Sequence, residues 1–250
     1  MRVTRGRLPT LATLAALAIA AAFTLGGCAT GPATASPATM APATAPITGD
    51  PMTDVRLHQA AATGDLAAIV TLLAEGLPID ARDADGSTPV MAATAARETG
   101  AVRALIDAGA DVDIRDDRLD NPFLYAGAEG LLDILRLVNE AGADPALTNR
   151  YGGIALIPAC ERGHVEVVRY LLAESDVDVD HVNNLGWTGL LEAIILTDGD
   201  AAHQEIVRLL LDAGADPELA DRDGVTPLAH ARAKGQAEIV ALLVAGGARR

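Results

Sequence analysis

The chain has 250 residues, of which 50% are hydrophobic and only 2% are aromatic. A core of that composition consists of Ala, Leu, Val and Ile, which suits slim helices at close spacing. The formal net charge is −15 at pH 7, so phosphate backbones and anionic lipid headgroups repel the chain, and we expect no nucleic-acid partner.

The first 27 residues have the order of an export signal. The basic stretch MRVTRGR is followed by the apolar stretch LPTLATLAALAIAAAFTL, whose last leucine begins LGGC at residues 25–28, as in a secretory signal peptide. The stretch from Leu25 to Cys28 resembles the bacterial lipobox, in which the cysteine becomes the first mature residue and carries acyl chains such as palmitate. We therefore expect a lipoprotein-type signal peptide at residues 1–27 and a lipid anchor at Cys28. An uncleaved signal anchor and a soluble secreted product remain the alternatives.

A spacer follows the signal. Residues 28–50 are dominated by Ala, Pro and Thr and have almost no charge, so they favour extended conformers and lack the apolar surface that folding needs. We expect a disordered linker here. At roughly 3 Å per residue where extended, it could hold the following domain several nanometres from a membrane.

After the linker the chain repeats itself. The sequence AGAD begins at Ala108 and again 33 residues later at Ala141, and it returns at Ala213. Each copy follows a helical pattern of Leu, Val and Ile, and its Gly is suited to ending that helix. Thr-Pro pairs at Thr88 and Thr226 can begin the next helix, because Thr caps an N-terminus and Pro fits the first helical position. Neither helix of such a unit can bury its apolar face alone, so neighbouring units must stack.

These units resemble the ankyrin-repeat family through four stretches in particular. They are DADGSTPV at 83–90, RGHVEVVRYLL at 162–172, HQEIVRLLLDAGAD at 203–216 and DRDGVTPL at 221–228. The resemblance implies that residues 51–250 form an all-α solenoid of about six ankyrin repeats, in which helix-turn-helix units are joined by β-hairpin loops. It also implies that the hairpin tips and first helices form a concave surface that holds a partner protein.

Some units depart from the repeat pattern. Leu119 stands where a hairpin glycine is usual, and Arg97 lies where the turn between helices usually reads Gly-His. Ile154 and Ala155 replace Thr-Pro. About five extra residues near 197–202 predict a longer loop between the helices of one unit. That loop is either part of a binding face or a harmless longer turn.

The hairpin tips supply the candidate binding residues. Tyr151 and the only tryptophan, Trp187, fall on adjacent hairpins and are flanked by Arg150 and Arg222. Trp, Tyr and Arg are the side chains that most often dominate the energy of protein interfaces. The alternatives are that Trp187 packs on the neighbouring hairpin and that Tyr151 is exposed without a partner. The predicted protein-binding residues are Arg118, Arg150, Tyr151, Asn184, Leu185, Trp187 and Arg222.

The sequence contains no pattern that indicates catalysis. Its histidines lack the spacing of metal ligands, and neither a phosphate-binding glycine loop nor a nucleophile elbow occurs. Asp176, Asp178 and Asp180 alternate as a calcium loop begins, but His181 and Trp187 replace the turn Gly and the bidentate Glu. We therefore expect no enzymatic activity, no cofactor and no bound metal.

The sequence as a whole predicts a monomeric, non-enzymatic scaffold or adaptor that binds a partner protein. We expect it to be exported and lipid-anchored to a bacterial membrane, facing the periplasm or the cell exterior. Cys160 replaces a helix alanine and is expected to be a small buried side chain. The competing hypothesis is a small-ligand or calcium-binding envelope lipoprotein, which metal-dependent thermal stabilisation would favour. An immunity protein would differ from the scaffold only in the identity of its partner.

Overall fold

The computed structural model describes residues 55–249, and the expected signal peptide, linker and lipidated Cys28 lie outside this range. Within it the chain forms twelve α-helices and no β-strand. The helices are α1 (Arg56–Ala62), α2 (Leu66–Ala74), α3 (Pro89–Ala95), α4 (Thr99–Asp107), α5 (Pro122–Ala128), α6 (Leu132–Glu140), α7 (Leu156–Glu161), α8 (Val165–Glu174), α9 (Gly189–Ile195), α10 (Ala201–Asp212), α11 (Pro227–Lys234) and α12 (Ala237–Ala245).

The described helices form six consecutive pairs. First helices pack on the first helices of neighbouring pairs, and second helices pack on second helices. The apolar faces of all pairs join one continuous core of Leu, Val, Ile and Ala. Such a core is what a solenoid requires, because its units cannot bury their apolar faces singly. The predicted all-α repeat fold is therefore confirmed.

The Thr-Pro pairs begin helices as predicted. The Thr88 hydroxyl accepts a hydrogen bond from the Met91 N–H at 3.3 Å, and Pro89 is the first residue of α3. The same arrangement begins α11 at Thr226. Where the pair is replaced, the residue before α7 is Ala155, which has no side chain to cap the helix. At six residues, α7 is the shortest of the described helices.

The Gly of each AGAD stretch ends a helix as predicted. Gly109, Gly142 and Gly214 have φ angles of 95°, 94° and 95°, in the left-handed region that suits a residue without Cβ. After α4 the Ala110 N–H donates to the Leu105 carbonyl at 3.0 Å, which closes a Schellman motif over a fully buried leucine. Each stop therefore fixes the direction in which the chain leaves the second helix.

The hairpin loops between repeats are tight turns without strand pairing. In the loop 183–187 the Asn183 N–H donates to the Trp187 carbonyl at 3.0 Å, and the Gly186 N–H donates to the Asn183 carbonyl at 2.9 Å. The Asn183 side-chain oxygen also accepts from the N–H groups of Leu185 and Trp187. An Asp or Asn at this position holds all five such loops in the same way. One short polar side chain therefore sets the shape of each loop.

The extra residues near 197–202 divide between a loop and a helix. The connection from α9 to α10 has five residues against three between α3 and α4, and α10 has twelve residues against nine in α4. Helix α10 begins early because the Asp200 carboxylate accepts a hydrogen bond from the His203 N–H at 3.0 Å and caps the N-terminus. The predicted longer loop thus accounts for only part of the insertion.

Candidate protein-binding surface

Backbone hydrogen bonds join neighbouring hairpin loops. The Asn184 N–H donates to the Tyr151 carbonyl at 2.9 Å, and the Arg150 N–H donates to the Arg118 carbonyl at 3.3 Å. In the same way, the Asp117 N–H donates to the Asp85 carbonyl at 3.0 Å and joins the first two loops. These bonds hold the first four loops in register, and the Arg222 side chain of the fifth loop packs on Gly186 of the fourth. We call the surface of these loops the hairpin row, and it consists of residues 83–87, 116–120, 149–153, 183–187 and 221–225.

Two of the predicted binding residues pack on the preceding loop of the hairpin row. A Cβ added to Gly152 would lie 2.5 Å from Asn184 Oδ1, and one added to Gly186 would lie 2.4 Å from Arg222 Cγ. The side chains of Asn184 and Arg222 therefore cover these glycines closely, although both residues remain exposed. The glycines are needed here for close approach as well as for their positive φ angles of 71° and 85°. Both side chains contribute to the cohesion of the hairpin row as well as to its outer surface.

Tyr151 projects from the hairpin row while its ring is held in place. The residue is 56% exposed. The guanidinium carbon of Arg150 lies 4.7 Å from the centroid of its ring, and Arg150 Nη2 donates a hydrogen bond to the Tyr151 hydroxyl at 2.9 Å. This cation–π contact and hydrogen bond restrict the side chain before any partner arrives. The structure thus places Arg150 and Tyr151 together as one accessible group.

Exposed apolar side chains occupy three consecutive loops of the hairpin row. Leu185 is 52% exposed and lies one loop beyond Tyr151, whereas Leu119 is 41% exposed and lies one loop before it. Trp187, two residues after Leu185, is only half-buried rather than fully exposed. Sequence reasoning missed Leu119 as a surface residue. Its only signal was that a leucine replaced the usual hairpin glycine.

Arg118 is engaged by acids of its own loop. Its Nε lies 3.2 Å from a carboxylate oxygen of buried Asp116 and 4.0 Å from one of Asp120. Burial, and then the neighbouring charge of Asp116, raise the pKa of Asp120, while nearby arginines oppose the rise. The positive charge of Arg118 is therefore balanced locally, and its aliphatic stem is the part that adds to the outer surface.

A buried acid supports the hairpin row from beneath. The Glu192 carboxylate of α9 accepts a hydrogen bond from Asn183 Nδ2 at 2.7 Å, and Asn183 holds its own loop in shape. Burial raises the pKa of Glu192 to about 7, with a smaller rise from the charge of Glu161, while the Asn183 hydrogen bond opposes both. The equivalent positions in the last repeat hold Asp221 and His230, whose side chains are 2.7 Å apart. In both repeats a hydrogen bond between a loop side chain and a first-helix side chain thus holds the loop against that helix.

Histidines connect neighbouring repeats. His164 Nε2 lies 3.2 Å from the carbonyl oxygen of Ala128, and His203 Nε2 lies 3.1 Å from that of Glu161. Both carbonyl oxygens belong to the end of a first helix in the preceding repeat. His58 contacts a carbonyl oxygen of the next hairpin loop at 2.9 Å. These hydrogen bonds give the three histidines a structural part in aligning one repeat on the next.

The alternating acids and the buried cysteine also have structural surroundings. Asp178 accepts a hydrogen bond from the Asp180 N–H at 3.1 Å, and Asp180 accepts one from the Asp216 N–H at 2.9 Å. Within residues 55–249 no three His, Cys, Asp or Glu side chains are grouped so that they could hold a metal ion. Cys160 is fully buried, as predicted. Burial and then nearby Glu192 raise the pKa of its thiol, which suppresses the reactive thiolate.

None of the helices in the described part of the chain is long and apolar enough to cross a membrane. The longest, α10, has twelve residues, whereas a bilayer core requires about 20. The export signal and the anchor at Cys28 fall outside the described residues and stay predictions.

Comparison with known proteins identifies the class of protein that this stack and its loops define. The family model described as "Ankyrin repeats (3 copies)" matches residues 57–149 and 123–221, and the chain belongs to the ankyrin-repeat family. Proteins of this family are generally scaffolds for protein–protein interaction and are typically non-enzymatic.

Individual relatives come from bacteria and from elsewhere. The ankyrin repeat protein YahD of Escherichia coli strain K12 is 52% identical over 99 residues, which are 40% of this chain and 49% of that protein. The chain thus spans about half the length of that relative. An ankyrin repeat domain of Acinetobacter baumannii AYE is 57% identical with a TM-score of 0.76, covering 78% of this chain and 100% of that one. The ankyrin repeat domain of Bcl-3, a member of the IkappaB family, is 27% identical with a TM-score of 0.71, covering 78% and 87%.

Proposed function

We propose that this chain is an exported, lipid-anchored scaffold that binds a partner protein in the bacterial envelope through the hairpin row. The observation that carries the proposal is the exposure of Tyr151 and Leu185 on loops that backbone hydrogen bonds hold in register. Large apolar side chains on rigid loops lose little conformational freedom on binding, so more of their contact energy appears as affinity. The general role of the family in binding proteins supports the same function.

Partner binding is tested by affinity capture from an envelope extract, with the full chain carrying a C-terminal tag as bait. Changing Tyr151→Ala together with Trp187→Ala should abolish retention of the partner, because aromatic anchors dominate interface energy. Captured proteins are identified by mass spectrometry, and circular dichroism verifies that the variant is folded.

The matched control for this capture is Val70→Ala. Val70 is 65% exposed and lies on α2, away from the hairpin row, so its loss should leave capture unchanged. A partner that is retained equally by the Tyr151, Trp187 variant would show that the hairpin row is not the binding surface.

The anchor is tested separately at Cys28. The lipobox-like stretch before this residue supports lipidation. The parent should take up label from a palmitate analogue, and a Cys28→Ser variant, which has no thiol to acylate, should take up none. A parent chain that is found in the membrane fraction without label would instead indicate an uncleaved signal anchor.

A further inference from the structure

Charge is distributed unevenly along the hairpin row. The loops 83–87 and 116–120 each carry two more acids than bases, and the loop 221–225 carries one more. Between them, the loop 149–153 has one arginine and no acid, and the loop 183–187 has no charged residue. In a chain with a formal net charge of −15, these two central loops form an acid-free stretch bounded on both sides by acidic loops.

Two of the three exposed apolar side chains of the hairpin row lie in this acid-free stretch. Tyr151 and Leu185 lie on the two central loops, and Leu119 lies on the acidic loop just before them. Leu119 also has a φ angle of 63°, a left-handed conformation that costs a leucine free energy. A strained residue that remains exposed points to a use for its side chain outside the fold.

Exposed carboxylates stand at both ends of the apolar stretch. The Asp117 side chain is 70% exposed even though it lies 3.6 Å from Arg82, and Asp223 is exposed on the far side. Opposite charges across an interface steer association and select partners. Arg150 and Arg222 are also exposed here, but each flanking loop carries more acids than bases. The surface therefore complements a partner that is apolar in the middle and cationic at its ends.

We propose that the central hairpin loops bind an unstructured peptide segment of the partner protein in which two apolar side chains three residues apart are flanked by Lys or Arg. The inference rests on the proposed function and names the chemistry of its partner. The apolar residues contact Tyr151 and Leu185, and the basic residues face Asp117 and Asp223. An exposed row of loops suits an extended segment, which lays successive side chains along it.

The spacing follows from the geometry of the stack. Tyr151 and Leu185 occupy the same position in adjoining loops, and neighbouring packed helices lie about 8–10 Å apart. A polyproline-type segment has three residues per turn and rises about 3.1 Å per residue, so every third side chain faces the same way at a spacing of about 9 Å. Apolar residues at positions i and i+3 of such a segment therefore match the two loops.

The test selects ligands from a displayed library of random peptides about a dozen residues long on the immobilised full chain. The affinities of selected peptides, made synthetically, are then measured by fluorescence anisotropy for the parent and for variants. The proposal expects enrichment of apolar residues at i and i+3 beside Lys or Arg. It also expects affinity to fall about tenfold or more in a Tyr151→Ser, Leu185→Ser variant, as for interface anchors. An Asp117→Asn, Asp223→Asn variant should bind more weakly and with a smaller salt dependence than the parent.

Matched controls are Val70→Ser and Asp107→Asn, which change an exposed valine and an exposed aspartate outside the hairpin row. Both should bind the selected peptides as the parent does. Selected peptides without the apolar and basic pattern, unchanged affinity in the Tyr151, Leu185 variant, or no enrichment at all would each overturn the inference. If envelope capture still retains a partner in any of these cases, the proposed function stands and only the peptide chemistry is wrong. If capture fails as well, both are wrong.

Discussion

Leu119 has a backbone conformation that suits glycine, so replacing this leucine by glycine should stabilise the fold rather than destabilise it. The four other hairpin loops have Gly at this position, whereas Leu119 adopts a φ of 63°. Left-handed backbone costs a leucine about 1–2 kcal/mol, and a glycine costs about 0.5–1 kcal/mol through the greater freedom of the unfolded chain. Leu119→Gly should therefore raise the free energy of unfolding by up to about 1 kcal/mol, as measured by urea denaturation.

The control for this change is Leu119→Ala, which shortens the side chain but keeps the strain because alanine also has a Cβ. It should show no gain in stability. A glycine variant no more stable than the alanine variant would mean that contacts of the leucine side chain outweigh the strain.

Glu192 should make stability depend on pH. Its pKa is raised from 4.5 to about 7 in the folded chain by burial, with a further rise from Glu161, so the folded state keeps a proton that the unfolded state loses. Stability from this group is present below pH 4.5 and is lost as the pH rises to about 7, by up to about 3 kcal/mol. In a Glu192→Gln variant this loss should be absent, because the amide does not ionise.

The measurement is urea denaturation of both chains from pH 4 to pH 8. The variant should be more stable than the parent at pH 8, and the difference between them should shrink towards pH 4. A constant difference at all values of pH would show that Glu192 does not hold an extra proton in the folded state.

At the scale of the elements, α8 tests how strongly the repeats depend on their shared core. Leu171 is fully buried, whereas its neighbour Leu172 is only partly buried against the same core. Leu171→Ala should lower the free energy of unfolding by about 2–5 kcal/mol, as for other buried leucines, and Leu172→Ala should cost less. Chemical denaturation of the two single variants measures both values. Equal losses, or a negligible loss at Leu171, would contradict the orientation of α8 in the stack.

The whole molecule shows which features a sequence can predict. Thr88 and Gly109 were predicted as helix start and stop because caps depend on residues within one turn of the chain. The hydrogen bond between Asn183 and Glu192 was not predicted, since it depends on how a loop folds over the next helix. The extents to which Leu119 and Trp187 are exposed likewise depend on side chains of neighbouring repeats. The residues that begin and end helices can therefore be predicted from the sequence. The composition of the hairpin row cannot, because it depends on how neighbouring repeats pack.

The contacts between helices have a consequence for the order in which the chain can fold. Within the described residues, the helices that pack extensively on each other belong to the same repeat or to adjacent repeats. No helix therefore depends on a distant segment of the sequence for its main packing partner. A short separation along the sequence between contacting residues favours rapid folding. Folding of such a stack can begin at any repeat and proceed one repeat at a time. A chain with this contact pattern can gain structure progressively as it emerges from a ribosome, each new repeat docking on the one before it.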